Sequence, residues 1–524
     1  MNGNAMVSRR AFVAGAVSAA ALAGLTSCAP TGGASASGGS APSSMPDSWD
    51  YEADIVIVGG GGSGCMAACA AHEEGSSSLI IEKADYLGGD TALCACICVG
   101  PWPDRTKQDS GMDDTIELYL EDQKNSNPWS HRGLRGEGLS DDYSFFERQA
   151  ELMPETFAWM QDVAGIEWDA RYYSNSTAVP QPGWDTVYPR DWTAANKIIP
   201  QLESLVRSYD DVEVVMGTEV CELVVDDSGR IVGACGIDEK GATMFAKARK
   251  AVIVATGTFN GNRGMVDKHL GPAVSKLTPG GCATVTGDGH RMVQRIGGTL
   301  RDMTLGTHWL PHTLGAETRT LTGTLFAHGP IYDNYPPGIL VNFDGRRYCN
   351  ENDGYSLVGQ STAEQKWREG FYVVDAQGAK GTVPEDQTSE IVITAGTLEE
   401  LGGKMVVNTE AFLEEVARYN GFVDAGKDDD FGKELESCPR IEQPPFYAFP
   451  IRPVPYTTYG GVVVDVDGHV LDARGDAIPG LYAAGLCCGS FAEQAGVFYT
   501  GGVSQAMAFG RQAGKNASQE EVQG

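Results

Sequence analysis

Residues 54–64 have the sequence DIVIVGGGGSG. The apolar, β-branched first half predicts a buried parallel strand, and the second half fits the pattern G-x-G-x-x-G. The Ala-rich stretch 65–74 predicts a helix, and a second apolar run at 79–81 ends at Glu82. An acid about 20 residues after the last glycine of such a unit is typical of dinucleotide-binding folds. We therefore predict a Rossmann-like α/β fold built around this stretch.

Each glycine of the fingerprint has a physical role in such a fold. Gly59 allows the tight turn, Gly61 lets the backbone approach a pyrophosphate, and Gly64 permits close packing of helix on strand. The N–H groups at the helix start face the phosphates, and Glu82 can accept hydrogen bonds from ribose hydroxyls. A glycine-rich turn can also pack a helix on a strand with no ligand. The complete strand–turn–helix–strand context favours dinucleotide binding.

Later strands place distant parts of the chain in the same domain. Strands are predicted at 212–215 and 221–225, and a hairpin pair at 231–237 and 242–248 flanks Lys240-Gly241. A separate buried strand then leads into Ala255-Thr256-Gly257, and residues 480–485 repeat this kind of ending. Strands that end in small residues bring backbone close to a bound cofactor. The nucleotide domain is therefore assembled from distant pieces, with an insertion between them.

Length and charge exclude some classes of partner. The chain has 524 residues, 39 Lys and Arg against 70 Asp and Glu, and a formal net charge of -31. This length predicts two or three domains, or one large domain with an insertion. The excess of acid argues against nucleic acid as a partner and against electrostatic binding to anionic lipid.

The N-terminal segment has the features of an export signal. Residues 8–13, SRRAFV, resemble the twin-arginine signal, and an apolar stretch too short to span a membrane follows. Residues 25–28, LTSC, resemble a lipobox, which would make Cys28 a lipidated membrane anchor. Cleavage by an ordinary signal peptidase is the alternative. Residues 29–49 are rich in Gly, Ser, Ala and Pro and predict a flexible tether. We expect an extracytoplasmic protein.

Several further motifs occur together in one chain. They are GGDT at 88–91, ATG at 255–257, TGDG at 286–289, NFDGRRYCNE at 342–351, YGG at 459–461 and YTGGVS at 499–504. With the fingerprint, this set resembles the flavoprotein family of soluble fumarate reductases, urocanate reductases and 3-ketosteroid dehydrogenases. The motifs span nearly all of the chain that follows the tether.

The resemblance implies non-covalent FAD and an FAD-binding domain split in two by an inserted α+β capping domain. The predicted segments are a signal at 1–28, a tether at 29–49, FAD-binding parts at 50–306 and 455–516, a cap at 307–454 and a tail at 517–524. The fingerprint and the resemblance together assign the cofactor-binding residues as Gly59, Gly61, Gly62, Ser63, Gly64, Glu82, Lys83, Gly89, Asp90, Thr91, Val220, Ala255, Thr256, Gly257, Asp288, Gly485, Gly502, Val503 and Ser504.

The resemblance also implies a mechanism. A hydride passes between flavin N5 and one carbon of an activated double bond, and a positioned acid protonates the neighbouring carbon. Fumarate reductases of the family use an arginine for this proton, but Tyr355 stands at the matching position. A phenol with a pKa near 10 can donate or accept a proton if its surroundings shift it. Tyr355 is therefore the candidate acid or base; a wall residue of the cap is the alternative.

Other departures from the family bear on the substrate. Tyr499 replaces the second arginine, and residues 456–461, YTTYGG, lack the family's histidine. The bidentate fork that suits a carboxylate is therefore missing, which disfavours a dicarboxylate. Tyr355, Tyr456, Tyr459 and Tyr499 could form a hydrogen-bonding aromatic pocket for an enone, unsaturated lactone, cinnamate-like or steroid-like molecule, or could simply be packing. His308 is a further candidate, although neither its register nor that of His312 is fixed.

Two more features remain open. Leu486 replaces a Glu that binds the flavin ribityl chain in many relatives. Cys94, Cys96 and Cys98 would share one side of an extended strand, as a ligand set for an iron–sulfur cluster or as a small apolar core face. Three ligands at this spacing match no known cluster motif, which favours the core face, and we assign no metal site. The adjacent pair Cys487-Cys488 has the same two interpretations.

Three functions fit the sequence. The first is a terminal reductase of a small-molecule acceptor, supplied with electrons by a membrane quinol oxidase or a cytochrome, because no Cys-x-x-Cys-His haem motif is present. The second is a dehydrogenase that desaturates a ketone with the same hydride geometry. The third is a lipoprotein that binds flavin or another ligand without catalysis. Export favours the reductase, and Tyr355 argues against the third.

Overall fold

The strands predicted around the fingerprint form the centre of one large sheet. The computed structural model describes residues 45–94, 98–101, 115–121, 142–172, 185–189, 198–313, 337–352, 354–379, 392–436, 438–491 and 502–523. Its strands are β1 Tyr51–Val58, β2 Ser78–Ile81, β3 Cys98–Val99, β4 Trp168–Tyr172, β5 Asp185–Pro189, β6 Val212–Val215, β7 Thr218–Val225, β8 Ile231–Asp238, β9 Thr243–Val254, β10 Leu300–Arg301, β11 Thr307–Thr313, β12 Ile339–Val341, β13 Gly370–Asp375, β14 Ile393–Ala395, β15 Phe446–Thr458, β16 Gly461–Val462, β17 His469–Leu471 and β18 Ala477–Ala483.

The helices lie between these strands and after the last of them. They are α1 Gly62–Glu73, α2 Gly89–Leu93, α3 Ser144–Asp162, α4 Ile198–Ser208, α5 Arg263–Leu270, α6 Pro272–Ser275, α7 Asp288–Arg295, α8 Gly354–Ala363, α9 Leu398–Met405, α10 Thr409–Ala425 and α11 Gly502–Ser518. Two short 3₁₀ turns cover Lys366–Arg368 and Gly485–Cys488.

The large sheet has the order β17-β18-β9-β1-β2-β6, and β7 and β8 extend it beside β9. Strands β18, β9, β1, β2 and β6 run parallel. Val58 pairs with both Ile81 and Val254, so three neighbouring strands end at one edge. The carboxyl edge of a parallel sheet is where such folds bind ligands. The fingerprint turn, Glu82 and Ala255 all leave the sheet at this edge.

Both faces of the large sheet are covered, which explains why its strands are apolar throughout. Ile55 and Ile57 belong to a core with α1, α4 and α11, whereas Val56 and Val58 belong to a core with β7, β8 and α7. All four side chains are at most 3% exposed. Full burial of each such side chain contributes about 1.5–3 kcal/mol.

The prediction of a strand at 242–248 that is separate from the strand at 251–257 is wrong. Strand β9 is continuous over twelve residues, pairing with β8 along its first half and with β18 along its second half. The charged pair Arg249-Lys250 interrupts the apolar pattern and suggested a break. In the structure Arg249 Nε donates to Asp54 at 2.9 Å, and Lys250 Nζ donates to the carbonyl of Ser518 at 2.7 Å. Both charges are thereby accommodated within the strand.

The last helix packs on the fingerprint helix through small residues. A Cβ atom at Gly510 would lie 2.5 Å from the carbonyl oxygen of Ser63, and one at Gly514 would lie 2.3 Å from that of Ala67. Only glycine lets α11 approach α1 this closely. The C-terminal part of the chain is therefore a structural part of the fingerprint unit, which agrees with a nucleotide domain assembled from distant pieces.

A second, antiparallel sheet has the order β11-β15-β13-β12, with β14 also paired to β15. Its strands lie within 307–458, and β15 continues past the predicted cap boundary at 454. Phe371 and Val373 pack against α9 and α10 on one face, and Tyr372 and Val374 belong to the core on the other. Among the described helices, none is long and apolar enough to cross a membrane.

Candidate active site

The fingerprint turn has the backbone geometry that its glycines predict. Gly59 has φ 104°, and a Cβ there would lie 2.5 Å from the carbonyl oxygen of Ala255. A Cβ at Gly64 would lie 2.0 Å from the carbonyl oxygen of Gly59. Both positions therefore require glycine for the protein's own packing.

Gly61 differs from these two glycines because the space beside it is open. Its φ of -72° is ordinary, and a Cβ there would meet only the carbonyl oxygen of Gly88, at 3.8 Å. Gly61 is also the N-cap of α1, so the N–H groups of the first helical turn follow it directly. An open face beside free helix N–H groups fits a diphosphate. This open turn, called the FAD cradle below, could hold the diphosphate of FAD.

Glu82 closes the other side of this turn. One carboxylate oxygen accepts a hydrogen bond from the Gly60 N–H at 2.7 Å, and the other accepts from the Ala84 N–H at 2.8 Å. The side chain is 7% exposed and lies at the end of β2. It holds the fingerprint turn in addition to the ribose role that its position predicts.

The predicted residues 88–91 lie against the cradle. Gly88 and Gly89 have φ of 124° and 49°, and a backbone bridge joins Gly88 to Gly61. A Cβ at Gly62 would lie 2.6 Å from Oγ1 of Thr91. Asp90, the residue after Gly89, lies in the first turn of α2.

Lys83 and Asp288, predicted separately as cofactor residues, form one network. Lys83 Nζ lies 2.6 Å from Asp288 Oδ2 and donates to Thr286 Oγ1 at 2.6 Å. Asp288 opens α7, where the Gly289 N–H donates to Thr256 Oγ1 at 3.2 Å. The TGDG segment at 286–289 is thereby bonded to Lys83, shortly after β2, and to Thr256, shortly after β9.

The remaining predicted cofactor residues lie around the carboxyl edge of the large sheet, and Val220 differs from the others because its side chain is in the core. Val220 is 4% exposed and its side chain packs in the core, so only its backbone can face a ligand. A Cβ at Gly485 would lie 2.5 Å from Ser63 Oγ, which places the end of β18 against the fingerprint helix. Gly502, Val503 and Ser504 begin α11. Leu486 packs against Gly502 and offers no polar group there.

Two of the predicted tyrosines lie where β15 returns from the cap. Tyr456 is partly buried, and burial raises its pKa to about 12, so its hydroxyl stays protonated at neutral pH. Tyr459 is 3% exposed, and its N–H donates to the carbonyl of Gly306.

Only the backbones of Tyr355, at the start of α8, and His308, in β11, are described. Tyr499 lies outside the described residues.

A buried group of charges precedes the helix that carries Tyr355. Arg347 donates to Glu351 at 2.8 Å and to Asp428 at 3.0 Å, and Lys433 lies 3.4 Å from Glu351. These side chains are at most 1% exposed. Although burial alone would raise the pKa of Glu351, Lys433 and Arg347 hold it below its ordinary value. The network fixes the segment that leads into α8.

Helix α8 is held along its length as well. Tyr348 OH lies 2.9 Å from Thr362 Oγ1, and a Cβ at Gly359 would lie 2.5 Å from Cβ of Trp309. The helix therefore packs directly on β11. Both contacts restrict where the start of α8, and with it the backbone of Tyr355, can lie.

The cysteine prediction needs a correction. Cys94 does not share an extended strand with Cys98, because it ends helix α2 and its thiol donates to the Thr91 carbonyl at 3.0 Å. Cys98 is fully buried in the apolar core, and Cys96 lies outside the described residues. Within the described ranges, no three His, Cys, Asp or Glu side chains are grouped to hold a metal ion.

The pair Cys487-Cys488 is also buried, with the sulfur atoms 3.9 Å apart. The Cys487 thiol donates to the carbonyls of Val254 and Ala484, both at 3.1 Å. Burial raises the pKa of Cys488 well above its ordinary value. Both residues therefore have the environment of core thiols.

Sequence reasoning missed one part of the site. The turn Gly280–Gly281–Cys282 contacts both Asp90 and the end of β15, and Asn260 contacts the end of β15. The adjacent glycines after Pro279 do signal a turn. No local pattern, however, connects that turn to Asp90, which is 192 residues away in sequence.

Known proteins are similar to this chain over nearly its whole length. The FAD_binding_2 family, an FAD binding domain, matches residues 54–503. A digoxin reductase of Eggerthella lenta is 29% identical and covers 94% of this chain and 93% of its own. A fumarate reductase (cytochrome) of Shewanella frigidimarina is 28% identical and covers 89% of this chain and 77% of its own.

Solved structures have the same fold. The 3-ketosteroid-Δ4-(5α)-dehydrogenase of Rhodococcus jostii, in complex with 4-androstene-3,17-dione, superimposes with a TM-score of 0.70 at 25% identity, covering 90% of this chain and 98% of its own. These similarities confirm the predicted resemblance and the FAD cofactor. The chain belongs to the FAD_binding_2 family and is an FAD-dependent oxidoreductase, similar to fumarate reductases, of a family that acts on C=C bonds.

Proposed function

We propose that this enzyme reduces the activated C=C bond of an organic acceptor that is not a dicarboxylate. Suitable acceptors are an enone, an unsaturated lactone, or a cinnamate-like or steroid-like compound. The observation that carries the proposal is the position of Tyr456, a partly buried phenol near the end of β15 whose ring lies against Gly280. It is a neutral hydrogen-bond donor at the point where the cap strand returns to the FAD-binding domain. Such a group suits a carbonyl oxygen better than a carboxylate.

The relatives support this class of acceptor. One is named for reduction of digoxin, a steroid with an unsaturated lactone, and one solved structure holds a steroid enone. Both molecules place a C=C bond in conjugation with a carbonyl group. Neither carries the two carboxylates of fumarate.

The chain's own residues have separable roles in this reaction. FAD, when bound, supplies a hydride to the carbon β to the carbonyl. Tyr355, at the start of the rigidly held helix α8, donates a proton to the neighbouring carbon. Tyr456 donates a hydrogen bond to the carbonyl oxygen, where negative charge develops. The cap sheet limits access of water to these groups.

Arg301 bears on the choice between a neutral acceptor and a dicarboxylate such as fumarate. Arg301 pairs with Gly461 across β10 and β16, beside the segment that contains Tyr459. Its guanidinium lies over the rings of Phe145 and Phe491, 5.3 Å and 6.0 Å from the ring centroids. These contacts favour a packing role. If fumarate proves to be the acceptor, Arg301 is the first carboxylate-binding candidate, and Arg301→Gln should abolish its reduction.

The second candidate function is desaturation of a ketone by the same groups in the reverse direction. The structural similarity to a ketosteroid dehydrogenase favours it. In that direction Tyr355 removes a proton, which requires a lowered pKa. Incubating the oxidised enzyme with a saturated ketone would bleach the flavin if desaturation is the favoured direction.

We also propose that the enzyme acts outside the cytoplasm, anchored through lipid on Cys28, and receives electrons from a membrane quinol oxidase or a cytochrome. The sequence at 8–13 and 25–28 supports this. Replacing Arg9 and Arg10 with lysine should retain the protein in the cytoplasm. Cys28→Ser should release it from the membrane fraction, and retention there would contradict lipid anchoring.

The test of the acceptor class is a panel experiment. Anaerobic enzyme is reduced chemically, and reoxidation of the flavin is followed with fumarate, urocanate, cinnamates, enone steroids and unsaturated lactones. We expect rapid reoxidation by an enone or lactone, with a raised KM in Tyr456→Phe. Tyr119→Phe, which changes a buried tyrosine that packs against Phe146, is the control. Rapid reoxidation by fumarate alone would overturn the proposal.

A further inference from the structure

One short turn connects the cofactor side of the site to Tyr456. The Cys282 N–H donates to Asp90 Oδ1 at 2.5 Å. Two residues earlier, the Gly280 N–H donates to the carbonyl of Pro455 at 2.9 Å. The turn 280–282 is thereby bonded at one end to the segment after the fingerprint and at the other end to β15.

The two glycines of this turn lie against the tyrosine itself. A Cβ at Gly280 would lie 2.5 Å from both Cε2 and Cζ of the Tyr456 ring. A Cβ at Gly281 would lie 2.8 Å from Asp90 Oδ1 and 3.2 Å from the carbonyl oxygen of Tyr456. The turn therefore fills the space between the Asp90 carboxylate and Tyr456, so that a shift of the turn must move the ring.

Asn260 holds the same tyrosine from another direction. Its side-chain amide donates to the carbonyl of Pro455 at 2.9 Å and to that of Tyr456 at 3.0 Å. The residue is 5% exposed and lies just after the ATG segment that ends β9. The backbone of Tyr456 is thus fixed by Asn260, and its ring by the turn that Asp90 holds.

Asp90 itself is one residue away from the FAD cradle. A Cβ at its neighbour Gly89 would lie 3.6 Å from Cα of Gly61. Its second carboxylate oxygen, Oδ2, is buried and finds no hydrogen-bond partner in the described part of the chain. Burial raises the pKa of Asp90 to about 6, against the opposing effect of the Cys282 N–H. Such a group is costly to bury unless it has a role.

We propose that Asp90 is a positioning residue, which holds the turn 280–282 and, through that turn, the ring of Tyr456 in register with the FAD cradle. Binding of FAD beside Gly61 and placement of the substrate's hydrogen-bond donor are thereby linked through one carboxylate. The consequence for substrate rests on the function proposed above, whereas the placement of the ring does not.

The test uses the FAD-loaded enzyme with 3-fluorotyrosine incorporated, so that fluorine NMR reports on Tyr456. Its resonance is assigned by its loss in Tyr456→Phe. We expect Asp90→Ala and Gly280→Ala each to shift or broaden this resonance, since the first releases the turn and the second displaces the ring. Asp90→Asn keeps an acceptor oxygen and should restore the wild-type resonance. Asp85→Ala, an exposed acid on the same segment, is the control.

The kinetic counterpart is a rise in KM for the acceptor of about tenfold in Gly280→Ala, with FAD content unchanged, as expected when one hydrogen bond of about 1–1.5 kcal/mol is misplaced. An unchanged resonance in both Asp90→Ala and Gly280→Ala would overturn the proposal. A shift in Asp90→Asn equal to that in Asp90→Ala would also overturn it, because charge and not the acceptor would then matter. The NMR result needs no substrate, so failure of the proposed acceptor class would leave it standing.

Discussion

A Cβ atom at Gly64 would lie 2.0 Å from the carbonyl oxygen of Gly59, whereas one at Gly61 would meet nothing closer than 3.8 Å. The same fingerprint thus contains a glycine that the fold requires and a glycine that the packing of the protein alone does not require.

The first prediction uses this difference. Gly64→Ala should prevent stable folding of the fingerprint unit, because backbone lies where the new methyl group must go. Gly61→Ala should leave the thermal midpoint of the apoprotein unchanged, since its φ of -72° suits alanine. The same change should weaken FAD binding by at least about tenfold, measured by fluorescence titration. Gly403→Ala, in helix α9 with open space around it, is the control and should retain wild-type FAD affinity. Wild-type FAD affinity in Gly61→Ala would contradict the cradle.

The second prediction compares two adjacent arginines. Arg347→Met removes the partner of Glu351 and Asp428 in a fully buried network and should destabilise the protein by about 3–5 kcal/mol. Arg346→Met breaks contacts of an exposed guanidinium with the exposed Glu414 and the buried Glu415, and should lower the thermal midpoint much less than Arg347→Met does. Thermal midpoints at one fixed scan rate would measure both. Equal midpoints would show that the buried network does not stabilise the cap.

The third prediction concerns pH. Burial lowers the pKa of His290 to about 4, although the Gly460 backbone and the Asp288 carboxylate act in the opposite direction. Between about pH 6.5 and about pH 4 the unfolded chain binds a proton at this histidine and the folded chain does not. The free energy of unfolding should therefore fall by up to about 3 kcal/mol as the pH drops through this window.

His290→Gln removes this titration, so its stability should depend less on pH between 4 and 7 than that of the wild type. Denaturant unfolding at several pH values would measure the two slopes. A His290→Gln profile parallel to the wild-type profile would contradict a neutral buried histidine.

The fourth prediction concerns the proton donor. Tyr355→Phe should slow flavin reoxidation by the acceptor about 10²–10⁴-fold, because a positioned acid contributes about this much. FAD content should be unchanged, since Tyr355 lies on the cap helix α8. Tyr348→Phe, on the same cap segment, serves as a structural comparison: it should lower the thermal midpoint without the same loss of rate. An unchanged rate of flavin reoxidation in Tyr355→Phe would show that Tyr355 is not the proton donor.

The sequence predicts the fingerprint unit well because its determinants are local. The strand, the turn glycines and the helix follow one another within residues 54–74, and Val58 pairs as a parallel strand requires. The division into an FAD-binding part and a cap is a prediction from family motifs rather than from physical pattern. The continuity of β9 was not predictable, because the partners that accommodate Arg249 and Lys250 lie far away in sequence.

The sequence predicted candidate site residues, but not which of them contact one another. Lys83 and Asp288 were both candidates, but their ion pair joins residues 205 apart. Asp90 was a candidate for the cofactor, whereas its bond to Cys282 and the turn against Tyr456 follow from tertiary packing alone. Spacing along the chain contains no information about such pairs. The grouping of Cys94 with Cys98 failed because Cys94 is the C-cap of α2, which ends at Leu93, and this helix was not predicted.

The central claim is that bound FAD passes electrons to the activated C=C bond of an acceptor that is not a dicarboxylate, and a single-turnover measurement tests it most directly. The enzyme is reduced under anaerobic conditions, freed of excess reductant, and mixed with an enone steroid or an unsaturated lactone. We predict that the flavin reoxidises and that about one molecule of product, heavier by two hydrogens, forms per flavin. A protein that contains no FAD, or a reduced flavin that forms product only from fumarate or from none of these acceptors, would contradict the account.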